Sequence, residues 1–178
     1  MVDPVLRTFL AGSHEQLAGF LEQTDTVKLL AARGDPPVAY RFAFVDIEHL
    51  VRRPVGQVAT SSGPVEVAVR FPSDYLRAGD LHLGLRVVAV VTPDVFHPNI
   101  RPPAACLGDE FRPGTTIVEV VRLVYEILSY QNVTPDERNA FAKDACRYVR
   151  EHPEAIARLR IPPLRRRKLN VTTTVTTL

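Results

Sequence analysis

Cysteine is scarce: the 178-residue chain has two, Cys106 and Cys146. Two thiols cannot make the disulfide framework of a small secreted domain, and in a reducing compartment both stay free. Long apolar runs are missing too. None approaches the roughly 20 residues needed to cross a bilayer. The first residues, MVDPVLRTFLAGSHEQ, carry an acid at Asp3 and lack the basic stretch that precedes the apolar core of a secretion signal. A cytoplasmic protein with no membrane partner is expected. Lysine occurs only at Lys28, Lys143 and Lys168, and no acid follows Glu154. Residues 1–157 hold 16 bases and 20 acids, a net of −4, while Arg158, Arg160, Arg165, Arg166, Arg167 and Lys168 place +6 at the end. The overall charge of +2 hides that division. Heavy use of Arg, Ala, Val and Pro often accompanies a GC-rich genome, of which many are bacterial. His14, His49, His82 and His152 show no ligand spacing with the cysteines, so neither a metal nor a cofactor is expected.

What is present suits one domain with an ordinary core: 46% of the residues are hydrophobic. Asp3 and Pro4 form a helix start. Val5, Leu6, Phe9 and Leu10 share a face before Gly12 and Ser13 interrupt. Leu17, Phe20 and Leu21 then continue, giving one interrupted helix or two short ones. TVKLLAA and AYRFAFVDI read as strands joined by the turn RGDPP, with Tyr40, Phe42 and Phe44 on one face. VEVAVRF is a third strand, and the nearly continuous apolar run LGLRVVAVVT predicts a central, buried fourth. TTIVEVVRLVYEILSY predicts a helix capped by Thr115 or Thr116, with Glu119 near its start. PDERNAFAKDACRYVREH predicts a second, with Ala142, Ala145, Cys146 and Val149 on one face. PEAIARLR predicts a short last one, opened by Pro153 and ended by Pro162 and Pro163. Helix, antiparallel strands and then helices is the α+β order. The domain is placed at residues 1–162, with a basic, Thr-rich, flexible tail at 163–178.

Between the last strand and the first long helix lies FHPNIRPPAACLGDEFRPGTT, read as a long loop carrying His97, Asn99 and Cys106. Loops held on a rigid scaffold are favoured places for chemistry. Here the chain resembles the ubiquitin-conjugating enzymes, whose hallmark is a His-Pro-Asn triplet after the fourth strand and a Cys-Leu pair a short loop later. The matching residues are His97-Pro98-Asn99 and Cys106-Leu107. FPSDY, from Phe71 to Tyr75, is similar to the corner that precedes the family's fourth strand. Phe111 stands where the family's tryptophan would be. YQNVTPDERNAFAKDACRYVREHPE is similar to the family's Pro-Asn-rich loop and alanine-rich helix, with Asp136 near the family's acid. The resemblance runs roughly from residue 14 to 160. It departs from the family pattern at Leu76, where a proline is usual, and the stretch from Tyr75 to His97 is longer than usual, with RAGDLHLG as the extra part. The loop after Cys106 is shorter.

The resemblance implies a four-stranded antiparallel meander flanked by an N-terminal helix and C-terminal helices. It also implies an acyl transfer: Cys106 accepts a ubiquitin-like protein as a thioester from an activating enzyme and passes it to an amine on a target, with or without a ligase. Some bacterial members are similar in serving phage defence. In that chemistry Asn99 supplies an amide donor to the tetrahedral oxyanion. Pro98 stiffens the loop, His97 holds the turn, and Asp136 orients and helps deprotonate the incoming amine. Asp109 and Glu110 are rival acids. Each residue also has a plainer role open to it. Cys106 could be a buried structural thiol, Asn99 a turn former and Asp136 a helix N-cap. Cys146, on an apolar helix face, reads as core. Two other functions remain open: a non-catalytic binding module of the same fold, and a cysteine hydrolase, for which His97 and Asn99 lie poorly placed on one loop. No nucleic-acid partner is expected of the body, although the basic tail could meet a nucleic acid or an acidic surface.

Overall fold

The computed structural model describes residues 3–54, 56–77, 83–109 and 111–165. Asp3 accepts the Val5 N–H at 2.9 Å and opens helix α1, Pro4–Leu21. Its 18 residues form one unbroken helix. Gly12 has open space around it and costs the helix about 1 kcal/mol relative to alanine. Leu6, Leu10, Leu17 and Phe20 form the buried stripe, which offsets that cost. Ser13 lies on the same stripe and starts no second helix. Its hydroxyl accepts the Ile117 N–H at 2.8 Å, an N–H that helix α3 (Ile117–Leu128) leaves without an intrahelical partner.

Strands β1 (Val27–Gly34) and β2 (Pro37–Phe44) pair antiparallel, and β2 pairs antiparallel in turn with β5 (Val65–Arg70). The register sets Tyr40 opposite Val69, Phe42 opposite Val67 and Phe44 opposite Val65. All six are buried, so one face of the sheet is continuous apolar surface shared with α1 and α3. The other face carries Arg41 and Glu66, joined by a hydrogen bond from Nε at 2.8 Å. Between β2 and β5 the chain inserts a separate hairpin, β3 (His49–Arg52) with β4 (Val58–Ser61).

The fourth expected strand is shorter than its apolar run. Leu83–Val87 is helix α2, and only Val88–Val90 is strand β6. Leu83 and Val87 lie four apart and are both buried, while Val88 and Val90 lie two apart and are both buried. An unbroken apolar run holds both periods and hides the switch between them. Gly84 fits this packing, since a Cβ there would meet Phe111 at 3.5 Å and Leu107 at 3.7 Å. Two further two-residue strands, β7 (Ile100–Arg101) and β8 (Ala104–Ala105), extend the sheet to six in the order β1-β2-β5-β6-β8-β7. The fold is therefore α+β with an antiparallel sheet. The four expected strands are its first four members, and the long loop read as irregular contributes the last two.

Of the two threonines expected as caps of α3, Thr116 is the one, and Glu119 completes a capping box with it. The Glu119 carboxylate accepts the Thr116 N–H at 2.7 Å, and Thr116 Oγ1 accepts the Glu119 N–H at 3.3 Å. Helix α4 spans Lys143–Glu151 and α5 spans Pro153–Ala157. The helix expected from Pro135 thus begins eight residues later. With the β3–β4 hairpin, these helices close a second, smaller core of Leu50, Phe96 and Ala145. The folded part runs past the expected boundary at residue 162. The Pro163 carbonyl accepts the Thr26 hydroxyl at 3.2 Å, Leu164 packs on the main core, and the Arg165 guanidinium lies 5.5 Å from the Phe20 ring centre. The rest of the basic tail, His82, most of RAGDLHLG and Glu110 lie outside the described residues. Among the described residues, no helix is long and apolar enough to cross a membrane.

Candidate functional site

Alternation sets the exposure of Cys106. Ala105 and Leu107 are each 2% exposed and point inward, so in extended chain the residue between them points out. Cys106 is partly exposed, and among the described residues its sulfur makes no hydrogen bond. Gly108 follows at φ +78°, a left-handed turn that glycine takes without strain, and brings the chain to the side chain of Asn132.

Asn99 joins this segment to the next loop. It is 2% exposed, and all its polar groups are used. Its carbonyl accepts the Cys106 N–H at 2.8 Å. Its side-chain Nδ2 reaches the Cys106 carbonyl at 3.5 Å, and its Oδ1 accepts the Thr134 N–H at 3.0 Å. Its own N–H goes to His97 Nδ1 at 3.0 Å. One amide therefore spans from the cysteine segment to the loop that carries Asp136. The Nδ2 bond is at the weak limit of length, so this donor is the one most easily turned to another acceptor.

His97 lies beneath, 1% exposed. With Nδ1 accepting, the proton sits on Nε2, which is buried without a hydrogen-bond partner among the described residues. The ring lies against Tyr130, 4.5 Å between centres, and burial pushes the imidazole down to about 3. It is neutral at physiological pH and holds the turn. Ile100 N–H closes that turn on the His97 carbonyl at 3.0 Å.

Asp136 stands on the loop that Asn99 binds. Its Oδ1 caps its own turn, accepting the Arg138 N–H at 2.9 Å, and its carbonyl takes the N–H groups of Asn139 and Ala140. This is a single turn, not the start of α4. Its side chain is 46% exposed, and Arg138 Nε lies 3.6 Å away. Asp109, the rival acid, is exposed on the other side of Gly108.

Two contributors to the site escaped sequence reasoning. Cys146 is core, as expected, but its thiol also donates toward the Thr134 carbonyl at 3.3 Å and lies 3.5 Å from that of Pro135. Tyr75, fully buried, donates its hydroxyl to the Thr115 carbonyl at 2.6 Å and fixes the far end of the cysteine loop against α3. Neither role has a sequence signal, because both partners are backbone carbonyls. Compared with models of known protein families and with curated proteins, the chain matches none.

Proposed function

We propose that the chain is a ubiquitin-conjugating-like acyltransferase that carries a ubiquitin-like protein as a thioester on Cys106. The observation that carries this is the double attachment of Asn99, to the outward-facing Cys106 on one side and to the Asp136 loop on the other. The sheet order β1-β2-β5-β6 behind one N-terminal helix also fits the ubiquitin-conjugating fold, with the β3–β4 hairpin as an addition to it.

In the loading step, the Cys106 thiolate attacks the modifier's C-terminal carbonyl. A new C–S bond forms, and the activating enzyme's thiolate leaves. In the transfer step, an amine attacks that thioester and the carbonyl oxygen becomes an oxyanion. Asn99 Nδ2 exchanges its long bond to the Cys106 carbonyl for one to the oxyanion. The C–S bond then breaks, Cys106 leaves as thiolate, and the amine's surplus proton passes to Asp136 or water. His97 takes no proton in either step, being buried and neutral. The same burial weighs against a cysteine hydrolase, which needs its imidazole at the thiol.

The test is intact mass after incubation with ATP, an activating enzyme and its ubiquitin-like protein. A gain equal to the modifier, lost in reductant and absent in Cys106→Ala, is expected. No gain beside a charged activating enzyme would overturn the proposal in favour of a non-catalytic binding module.

A further inference from the structure

A cleft of about 730 Å³ opens on another face of the His-Pro-Asn segment. Four pieces of chain meet there: the end of β3, residues 93–96, β7 with its following turn, and the start of α4. The cleft shares a wall with the candidate site, since the Ala142 N–H bonds the Pro98 carbonyl at 2.9 Å.

Its lining has a definite chemistry. Arg53, Arg101 and Lys143 are exposed on it and form no ion pair among the described residues. Arg52 shows how the cleft receives a carboxylate. Its guanidinium lies 4.6 Å from the Phe96 ring centre and holds the Asp144 carboxylate at 2.6 Å. Pro54, Pro93 and Pro102 supply stiff apolar edges with no N–H to offer. The hairpin that builds one side is an insertion between two strands of the main sheet, and sheet closure does not require it.

We propose that this cleft docks an acidic, extended segment of a protein partner, with carboxylates on Arg53, Arg101 and Lys143 and apolar side chains against the prolines. The proposal rests on the cleft alone and stands whether or not Cys106 forms a thioester. Peptide is favoured over nucleic acid on two grounds. Asp94 and Asp144 stand among the bases, where a continuous phosphate chain would meet them. The Phe96 face that could stack a base is already covered by Arg52.

The test is selection of a random linear peptide library on the immobilised full chain, followed by fluorescence polarisation with a selected peptide. Acid-rich peptides carrying apolar residues should be enriched and should bind more weakly as salt rises. Replacing Arg53, Arg101 and Lys143 together by Glu should weaken binding about 30-fold, and the milder triple Gln variant about tenfold. The replaced side chains are exposed and unpaired among the described residues, so thermal melting should be unchanged. Peptides without acid enrichment, or bound by the variants as tightly as by the unaltered chain, would overturn the proposal. So would a single-stranded oligonucleotide whose binding the variants abolish while peptide binding is absent, since the cleft would then serve a nucleic acid.

Discussion

The two cysteines lie on opposite sides of one peptide segment. Asn99, tied to Cys106, takes the N–H of Thr134, and Cys146 gives its thiol hydrogen to the carbonyl of the same residue. Cys106 faces outward between two buried neighbours. Cys146 is 2% exposed, and burial, with Glu137 adding to it, pushes its thiol up. The same side chain thus faces outward on one side and supports the loop from within on the other. Backbone alternation and hydrogen-bond partners decide which, and residue type does not.

The strongest way to break this comparison is alkylation of the folded protein with iodoacetamide, read by peptide mass mapping. Cys106 should label at once. Cys146 should label at least about a hundredfold more slowly, because it must wait for an opening of the 132–136 loop. Equal rates would remove the distinction.

Asn99→Ala separates the two attachments. Thioester formation on Cys106 should survive, whereas transfer to an amine, followed by single-turnover gel assay, should fall about 10²–10³-fold, the usual loss for one oxyanion donor. Thr134 also loses its acceptor, so a urea midpoint lower by the equivalent of about 1–3 kcal/mol should accompany it. Full transfer activity with the stability loss would leave Asn99 as a loop tether alone.

His97 sharpens the comparison through pH. Its ordinary value is 6.5 and its folded value about 3. Below 6.5 the unfolded chain therefore takes a proton that the folded chain refuses. This contribution is complete above about pH 6.5 and is lost as pH falls toward 3. It costs about 2 kcal/mol at pH 5. Burial lowers His49 as well, so its contribution has the same sign. Urea midpoints at pH 7 and pH 5 measure the sum. His97→Asn, whose amide oxygen can accept the same N–H two residues on, should flatten the dependence. An unchanged slope in that variant would place the effect elsewhere.

How much of this was legible in the sequence follows from how local each cause is. The Asp3 and Pro4 start of α1, the Tyr40-Phe42-Phe44 alternation and the threonine cap of α3 are set by neighbours within a few residues and are present as expected, with Thr116 as the cap and Glu119 boxed against it. Ser13, expected to interrupt the first helix, instead lies within it and takes the N–H of Ile117, 104 residues away. The β3–β4 hairpin was missed because four-residue strands carry almost no periodicity. Leu83–Val87 was read as strand because a run apolar at every position satisfies either period. At the candidate site, His97, Asn99 and Cys106 are singled out by the resemblance alone. The Thr134 peptide that Asn99 and Cys146 hold between them is not, since a backbone N–H and carbonyl leave no mark in a residue string.

The finest test is therefore Cys146 itself. Cys146→Ala removes the donor to the Thr134 carbonyl and leaves a small space in a well-filled region, for about 1–2 kcal/mol of stability. Cys146→Ser restores a donor, but a hydroxyl is smaller than a thiol and costs more to bury, so it should recover only part of that loss. In neither variant should alkylation of Cys106 slow, because its exposure follows from Ala105 and Leu107, which neither change touches. Amine transfer should fall only a few-fold in Cys146→Ala, in proportion to how far a loosened Thr134 lets Asn99 turn. If transfer fell as far as in Asn99→Ala with stability hardly altered, Cys146 would belong to the positioning of the reacting amide, and the division between a reactive and a supporting cysteine would fail.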